Sequence, residues 1–272
     1  MTEKTALRPE EGWHVLHLFY RIEQSQWQSF TPEEQLAAKT HLSALVQETR
    51  ATPSTQLLSF VMVSPKADLG FMLLTDDLHR AQSIEKRLTR ALGPDCLEPI
   101  YSFYSLTERS EYTTTEQDYV ASLKAEKNLS EGSPELEQGL NEFRSRMKKY
   151  LQDRLYPNMP NWPIFCFYSM TKRRSAGQNW YALSFEARKE LMAGHARVGR
   201  QHAGRVRQLI TGATGLDDAE WGVTLFAHDT FQIKSIVYEM RFDKVSAEYA
   251  DFGEFYIGIQ LPLDQIFRRL RL

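Results

Sequence analysis

Apolar and polar residues alternate along residues 13–22, and a period of two predicts a strand there. Thr31-Pro32-Glu33-Glu34 then carries the signals of a helix start. Thr31 is placed to cap, Pro32 suits the first helical position, and Glu34 completes a capping box, so a helix is predicted to about Arg50. Residues 56–63 and 69–75 read as strands joined by a turn at Ser64-Pro65-Lys66-Ala67-Asp68. Residues 76–92 read as a second helix, stopped by Gly93-Pro94, and residues 99–106 as an aromatic-rich fourth strand. The predicted order over residues 1–106 is β-α-β-β-α-β.

Residues 162–272 repeat that order. A strand is predicted at 163–171, a helical region from Glu186 to about Gln208, and strands at 221–228 and 231–241 with a turn at Asp229-Thr230. A short helix at 245–249, ended near Gly253, and a last strand at 254–261 complete the series. The expected fold class is α+β. Two ferredoxin-like β-α-β-β-α-β halves would pack sheet on sheet as a dimeric α+β barrel, because helices cover one face of each sheet and the bare faces must bury each other. Residues 107–161 are expected to form a helical linker. Thr113-Thr114-Thr115-Glu116 and Ser133-Pro134-Glu135-Leu136-Glu137 look like helix starts, and Leu140, Phe143, Met147, Tyr150, Leu151 and Leu155 recur at helical spacing. Residues 126–133 are expected to be its mobile part.

Composition narrows the class without naming a function. With 272 residues, 42% hydrophobic and 25% charged, the chain is an ordinary globular one. Cys96 and Cys166 are far apart and lack metal-ligand spacing, which argues against a disulfide framework and fits a reducing compartment. Met1-Thr2-Glu3-Lys4 is polar with no apolar segment behind it, and no apolar run approaches the ~18–20 residues of a membrane span. The expected location is cytoplasmic. Charge is distributed unevenly. Between Arg144 and Arg207 there are fourteen Lys/Arg against three acids (Asp153, Glu186, Glu190), a local charge of +11 in a chain whose net charge is −2. With no nucleic-acid motif present, that bias suggests an anionic small-molecule ligand.

The candidate chemistry is concentrated in residues 168–208. His195 shares a predicted helix face with Leu191, Met192, Val198 and His202. A lone histidine there is ordinarily a satisfied core residue, but a neutral imidazole is also an axial ligand for haem iron. Tyr168 ends an aromatic strand, where it reads either as a packed phenol or as a redox tyrosine; Met170 and Lys172 would lie on its strand face. His14 and His17, three apart on a strand, point to opposite faces and are not a natural metal pair; His41, His79, His202 and His228 show no ligand spacing. The Thr211-Gly212-Ala213-Thr214-Gly215 loop lacks the Gly-Lys-Ser/Thr of a phosphate-binding fingerprint and reads as a turn, with Asp217 or Asp218 capping the next segment.

Taken in order, these residues resemble a known family. Tyr168-x-Met170-x-Lys172-Arg173-Arg174, Asn179-Trp180-Tyr181, Gly194-His195 and Gln208-x-Ile210-Thr211-Gly212 are similar to the coproheme decarboxylases of the chlorite dismutase-like family. The stretches Gly215-Leu216-Asp217-Asp218-x-Glu220-Trp221-Gly222 and Tyr238-Glu239-Met240-Arg241-Phe242-Asp243 extend the likeness. The resemblance implies binding of iron coproporphyrin III (coproheme) by the C-terminal half. Two of its four propionates would be decarboxylated to vinyl groups with hydrogen peroxide, giving haem b through a mono-decarboxylated intermediate. It implies His195 as axial iron ligand, Tyr168 as radical-forming residue and Lys172 as a point charge on a propionate. Arg154, Ser169, Met170, Thr171, Gln208 and Ser246 would contact the porphyrin. Gln208, flanked by Arg207, would stand on the distal side, where chlorite-degrading relatives carry an arginine. The family's Tyr-Pro-Met-Ser-Lys is here Tyr168-Ser169-Met170-Thr171-Lys172, without the proline and with threonine for serine. The resemblance also implies a homopentamer and a coproporphyrin ferrochelatase as upstream donor. A chlorite dismutase, a peroxidase-like haem enzyme and a non-catalytic haem-binding protein are the other readings of the same residues.

Overall fold

The structure, a computed structural model, describes residues 5–127 and 129–272. The polar N-terminal tetrapeptide lies outside the described residues, as does Asn128 within the expected mobile segment. The chain divides into two compact units: Glu108–Asn158, and Met159–Leu272 together with the chain up to Thr107.

The larger unit opens with β1 (His14–Ile22), α1 (Gln24–Ser29), α2 (Pro32–Ala51), β2 (Thr55–Met62), β3 (Leu69–Thr75), α3 (Leu78–Thr89) and β4 (Leu97–Thr107). The smaller unit holds α4 (Glu116–Lys127) and α5 (Pro134–Leu155), which pack through Leu123, Leu136 and Leu140, with Tyr119 stacked on Phe143 at 4.4 Å. The larger unit resumes with β5 (Ile164–Lys172) and the hairpin β6 (Arg174–Ser175) and β7 (Gln178–Asn179), followed by a 3-10 turn at Trp180–Ala182. After these come α6 (Phe185–Gln201), β8 (Val206–Gly212), β9 (Trp221–Ala227), α7 (Thr230–Met240), α8 (Lys244–Tyr249), β10 (Ala250–Phe252), β11 (Tyr256–Gln260) and α9 (Leu263–Leu270). No described helix is long and apolar enough to cross a membrane. Both cysteines are free and buried.

The caps act as the sequence predicts at α2: the Thr31 hydroxyl accepts the Glu34 N–H at 3.2 Å, and the Glu34 carboxylate accepts the Thr31 N–H at 2.8 Å. Two elements differ from expectation. Residues 231–241 are not a strand. Their β-branched and aromatic content favours one, but Ile233, Ile236 and Met240 are the buried positions, a helical spacing, and Asp229 caps α7 by accepting the Gln232 N–H. The helical region also ends at Gln201, and the chain turns through Gly204 (φ +79°) into β8, so Gln208 stands on a strand.

The sheet arrangement corrects the expected fold class. There are not two sheets packed face to face as a dimeric α+β barrel. Among the described residues, nine strands join edge to edge in one sheet, ordered β10-β5-β11-β2-β3-β1-β4-β8-β9, with β5 pairing β9 in addition. Pairing the halves' edges satisfies N–H and C=O groups that separate sheets would leave open. The sheet is large and ring-like but is not a closed barrel. Its β4–β8 seam consists of two residue pairs, Leu106 with Gly212 and Thr107 with Thr211, and short β10 is carried on one end of β5. The inner face is aromatic: Phe19, Phe60, Phe103, Phe165, Phe167 and Phe226 are fully buried, and Phe60 stacks on Phe165 at 3.9 Å. Each such ring contributes about 1.5–3 kcal/mol through burial. On the outer face, α2, α3 and α9 cover the N-terminal strands, and a second cluster lies between β5, β8, β9, α6 and α7.

Candidate functional site

The site is built on the C-terminal end of β5. Alternation sends Phe165 and Phe167 to the inner face and Cys166, Tyr168 and Met170 to the outer one. Tyr168 is 8% exposed, its ring stacked on Phe255 at 4.5 Å and tilted against Phe252 at 5.7 Å. Burial pushes its phenol pKa well above the ordinary value, so the group is neutral near pH 7 and retains the hydrogen that redox chemistry would take. Met170 and Tyr168 share an apolar cluster with Val198, on α6 one turn beyond His195. Ser169 faces the other way, hydrogen-bonded to the Tyr101 side chain. Its carbonyl accepts the Gly253 N–H at 2.8 Å, and a Cβ at Gly253 would collide with the Ser169 hydroxyl.

Lys172 is buried at 5% exposure, its ammonium 4.4 Å from the centroid of the Trp180 ring. Burial lowers its pKa to about 8, while the charges of Asp243 and Glu220 work in the opposite direction. Trp180 is held in place by the 3-10 turn, where the Asn179 side chain accepts the Tyr181 N–H at 3.0 Å and the Trp180 N–H donates to the Arg173 carbonyl at 3.0 Å.

Helix α6 starts at Ser184, whose hydroxyl accepts the Ala187 N–H. It buries no residue completely: Leu191, Met192, His195 and Val198 form a half-buried apolar stripe. His195 Nδ1 lies 2.8 Å from Asp243 Oδ2. Burial disfavours the Asp243 carboxylate, but hydrogen bonds from His195 and from the N–H groups of Val245 and Ser246 outweigh it and hold its pKa below the usual range. An ionised carboxylate only accepts, so Nδ1 carries a ring proton, and Nε2 is the nitrogen that presents a lone pair whenever the ring is neutral. This is the arrangement by which a carboxylate orients an imidazole for a metal and raises its basicity.

The other candidates surround or stand apart from this cluster. Ser246 is buried in the first turn of α8, with its N–H on Asp243. Gln208 is half-buried on β8, opposite Leu225, and its amide nitrogen approaches α6 at Gly199. Thr171 is half-buried and pairs with Asp251 of β10. Arg154 belongs to the smaller unit, where its Nε donates to the Glu108 carbonyl at 2.8 Å. The basic run does not present three equivalent cations: Arg173 is held by Asp251 at 2.8 Å and by carbonyls of α8, and Arg174 is exposed, 3.9 Å from Glu220. The other histidines serve structure or face solvent. His14 meets Tyr104, His17 meets Thr224 and His202 meets Glu239, while His41, His79 and His228 are exposed. Sequence reasoning gave no role to Asp243, Glu220, Trp180 or Arg241. The Arg241 guanidinium stacks 3.8 Å over Phe252, and its charge acts on Tyr168. Residues 179–181, 220 and 238–243 lay inside the stretches that carried the resemblance, but no local spacing tied them to residues tens of positions away.

A family model described as chlorite dismutase matches residues 35–261. Among solved structures, a novel heme-binding protein from Thermus thermophilus is 36% identical, with a TM-score of 0.80, covering 98% of this chain and 100% of that one. A chlorite dismutase from Candidatus Nitrospira defluvii, solved in complex with imidazole, is 20% identical with a TM-score of 0.71, covering 97% of each chain, a likeness of fold. The chain therefore belongs to the chlorite dismutase family.

Proposed function

We propose that this chain binds an iron porphyrin against α6 and decarboxylates two propionates of iron coproporphyrin III, with hydrogen peroxide as oxidant, to yield haem b. The observation that carries the reading is that the buried phenol of Tyr168 packs in one apolar cluster with Val198 of α6, while one carboxylate, Asp243, orients the His195 imidazole on that helix and acts on the buried Lys172 ammonium. The residues fit the substrate. His195 offers Nε2 to the iron, the half-buried stripe of α6 suits a flat apolar macrocycle, and Lys172 and Arg241 are cations for its carboxylates. Arg154, Ser169, Met170, Thr171, Gln208 and Ser246 are further proposed contacts.

In this reading peroxide oxidises the bound iron porphyrin, and Tyr168 supplies an electron and a proton. The resulting phenoxyl abstracts hydrogen from a propionate β-carbon. Loss of one further electron releases carbon dioxide and leaves a vinyl group. Each propionate thus gives up two electrons and one proton, and with a second proton taken from solvent one peroxide is reduced to two waters. Lys172 holds the carboxylate in position. Gln208 on the distal side lacks the positive charge that would hold an anionic oxidant. A homopentameric, cytoplasmic protein that receives its substrate from a coproporphyrin ferrochelatase completes the proposal.

A second reading has specific support. The matched family is described by chlorite dismutase and the Thermus relative as heme-binding, so a chlorite dismutase, a peroxidase-like haem enzyme or a non-catalytic haem-binding protein follows more directly from the comparisons. Incubation with iron coproporphyrin III and peroxide, analysed by mass spectrometry, should yield the mono-decarboxylated intermediate and then haem b. Oxygen release from chlorite without porphyrin conversion would establish the dismutase reading. A bound porphyrin of unchanged mass under both oxidants would establish the carrier reading.

A further inference from the structure

Glu220 is a buried carboxylate outside the proposed catalytic set. It precedes β9, and its backbone is fixed on both sides: its N–H donates to the Met170 carbonyl at 3.1 Å, and its carbonyl accepts the Ala213 N–H at 2.7 Å. The β5–β9 ladder ends at Met170 opposite Trp221, which leaves the N–H of Lys172 beyond the last strand pair. The Glu220 side chain supplies the missing acceptor, with Oε2 2.6 Å from the Lys172 nitrogen. Side-chain chemistry thus extends the ladder by one rung at the residue whose ammonium lies over Trp180.

A neutral acceptor could close a strand end equally well. A carboxylate at 6% exposure carries a desolvation penalty that one backbone hydrogen bond only partly offsets. The Lys172 ammonium is buried as well, and the Glu220 charge acts on it. Around that ammonium, Asp243 contributes from the N-terminus of α8 and Glu220 from the loop before β9. Asp251 of β10 is bound to Arg173, while the exposed Arg174 guanidinium, 3.9 Å from the second Glu220 oxygen, is a further, solvent-screened cation for the same carboxylate.

We propose that Glu220 is a positioning residue for Lys172: its carboxylate pins the strand end that carries the side chain and brings a buried negative charge to the residue whose ammonium lies over Trp180. The consequence for an anionic substrate rests on the decarboxylase reading; the effect on Lys172 itself does not.

Two variants separate the two roles in the full-length, ligand-free protein. Glu220→Gln keeps an oxygen acceptor and removes the charge, whereas Glu220→Ala removes both. Trace acetylation of Lys172 with acetic anhydride across a pH series, read by peptide mass spectrometry, gives its titration midpoint. Hydrogen exchange reports the Lys172 amide. Glu220→Gln is expected to lower the midpoint by about one pH unit with the amide still protected. Glu220→Ala is expected also to speed amide exchange roughly tenfold. A Glu220→Gln midpoint equal to that of the wild type overturns the electrostatic role, and unchanged exchange in Glu220→Ala overturns the pinning role. If the wild type fails to convert iron coproporphyrin III, the decarboxylase reading falls while both measurements on Lys172 still decide the role of Glu220.

Discussion

Helices α2 and α6 each follow the first strand of a β-α-β-β-α-β series, and they are packed in opposite ways. α2 buries Leu42, Leu45, Val46 and Thr49 completely against the sheet and its neighbours, whereas α6 buries nothing completely. The half-buried stripe of α6 is held instead by polar ties, His195 to Asp243 and, at its C-terminal cap, His202 to Glu239, both at 2.8 Å. One helix is anchored by apolar burial, and the other is positioned by hydrogen bonds with an apolar flank left available. The contrast singles out α6 as the helix with an apolar flank available, although both halves share an element order.

The contrast can be broken by substitution. The largest expected effect is at α2: Leu42→Ala should destabilise the fold by about 2–5 kcal/mol, as cavity-forming changes at fully buried leucines do. Urea unfolding measures it, and a loss near zero would remove the anchoring role of α2. Next comes the difference between two histidines. His17 is fully buried, stacked on Phe167 at 4.0 Å, and burial lowers its pKa from 6.5 to about 3. It is therefore neutral in the fold while the unfolded chain takes up a proton below pH 6.5. Its contribution is fully present above pH 6.5 and lost as pH falls towards about 3, on the order of 5 kcal/mol. Unfolding midpoints across that range should show the loss, and His17→Asn should flatten it; an equally steep limb in the variant would assign it elsewhere.

A smaller effect is expected at the imidazole that the site uses. Asp243→Asn leaves the shape intact but removes the charge that fixes the His195 tautomer, and it should weaken coproheme binding about 10- to 100-fold. Titration followed through the Soret band measures this, and unchanged affinity would detach Asp243 from the ligand site. Least affected should be the stability of Leu191→Ala on α6, within about 1 kcal/mol of the wild type, because the side chain is only half-buried. A penalty as large as that of Leu42→Ala would erase the difference between the helices.

The parts legible in the sequence are those written locally. The Thr31–Glu34 capping box, the strands of the first half and the alternation placing Tyr168 and Met170 on one face all depend on residues within a few positions of each other. Residues 231–241 were misleading for an equally local reason: their β-branched and aromatic side chains argue for a strand, and only burial at Ile233, Ile236 and Met240 reveals the helix. Edge pairing was not legible at all. Whether β11 joins β2, and so whether the halves share one sheet, depends on strand ends about two hundred residues apart. The same holds at the site, where Asp243 reaches His195, and Glu220 reaches Lys172, each across 48 positions. Residue type alone left Tyr168 and His195 open, and the resemblance singled them out with Lys172 as candidates; their partners needed the fold.

In the proposed reaction the buried phenol of Tyr168 performs the chemistry. Its most direct test is mass spectrometry of the porphyrin after incubating iron coproporphyrin III and hydrogen peroxide with wild-type protein and with Tyr168→Phe. The wild type is expected to give haem b, and the variant bound, unconverted coproheme with an undiminished Soret change on binding. Unchanged coproheme from the wild type, or full conversion by Tyr168→Phe, would contradict it.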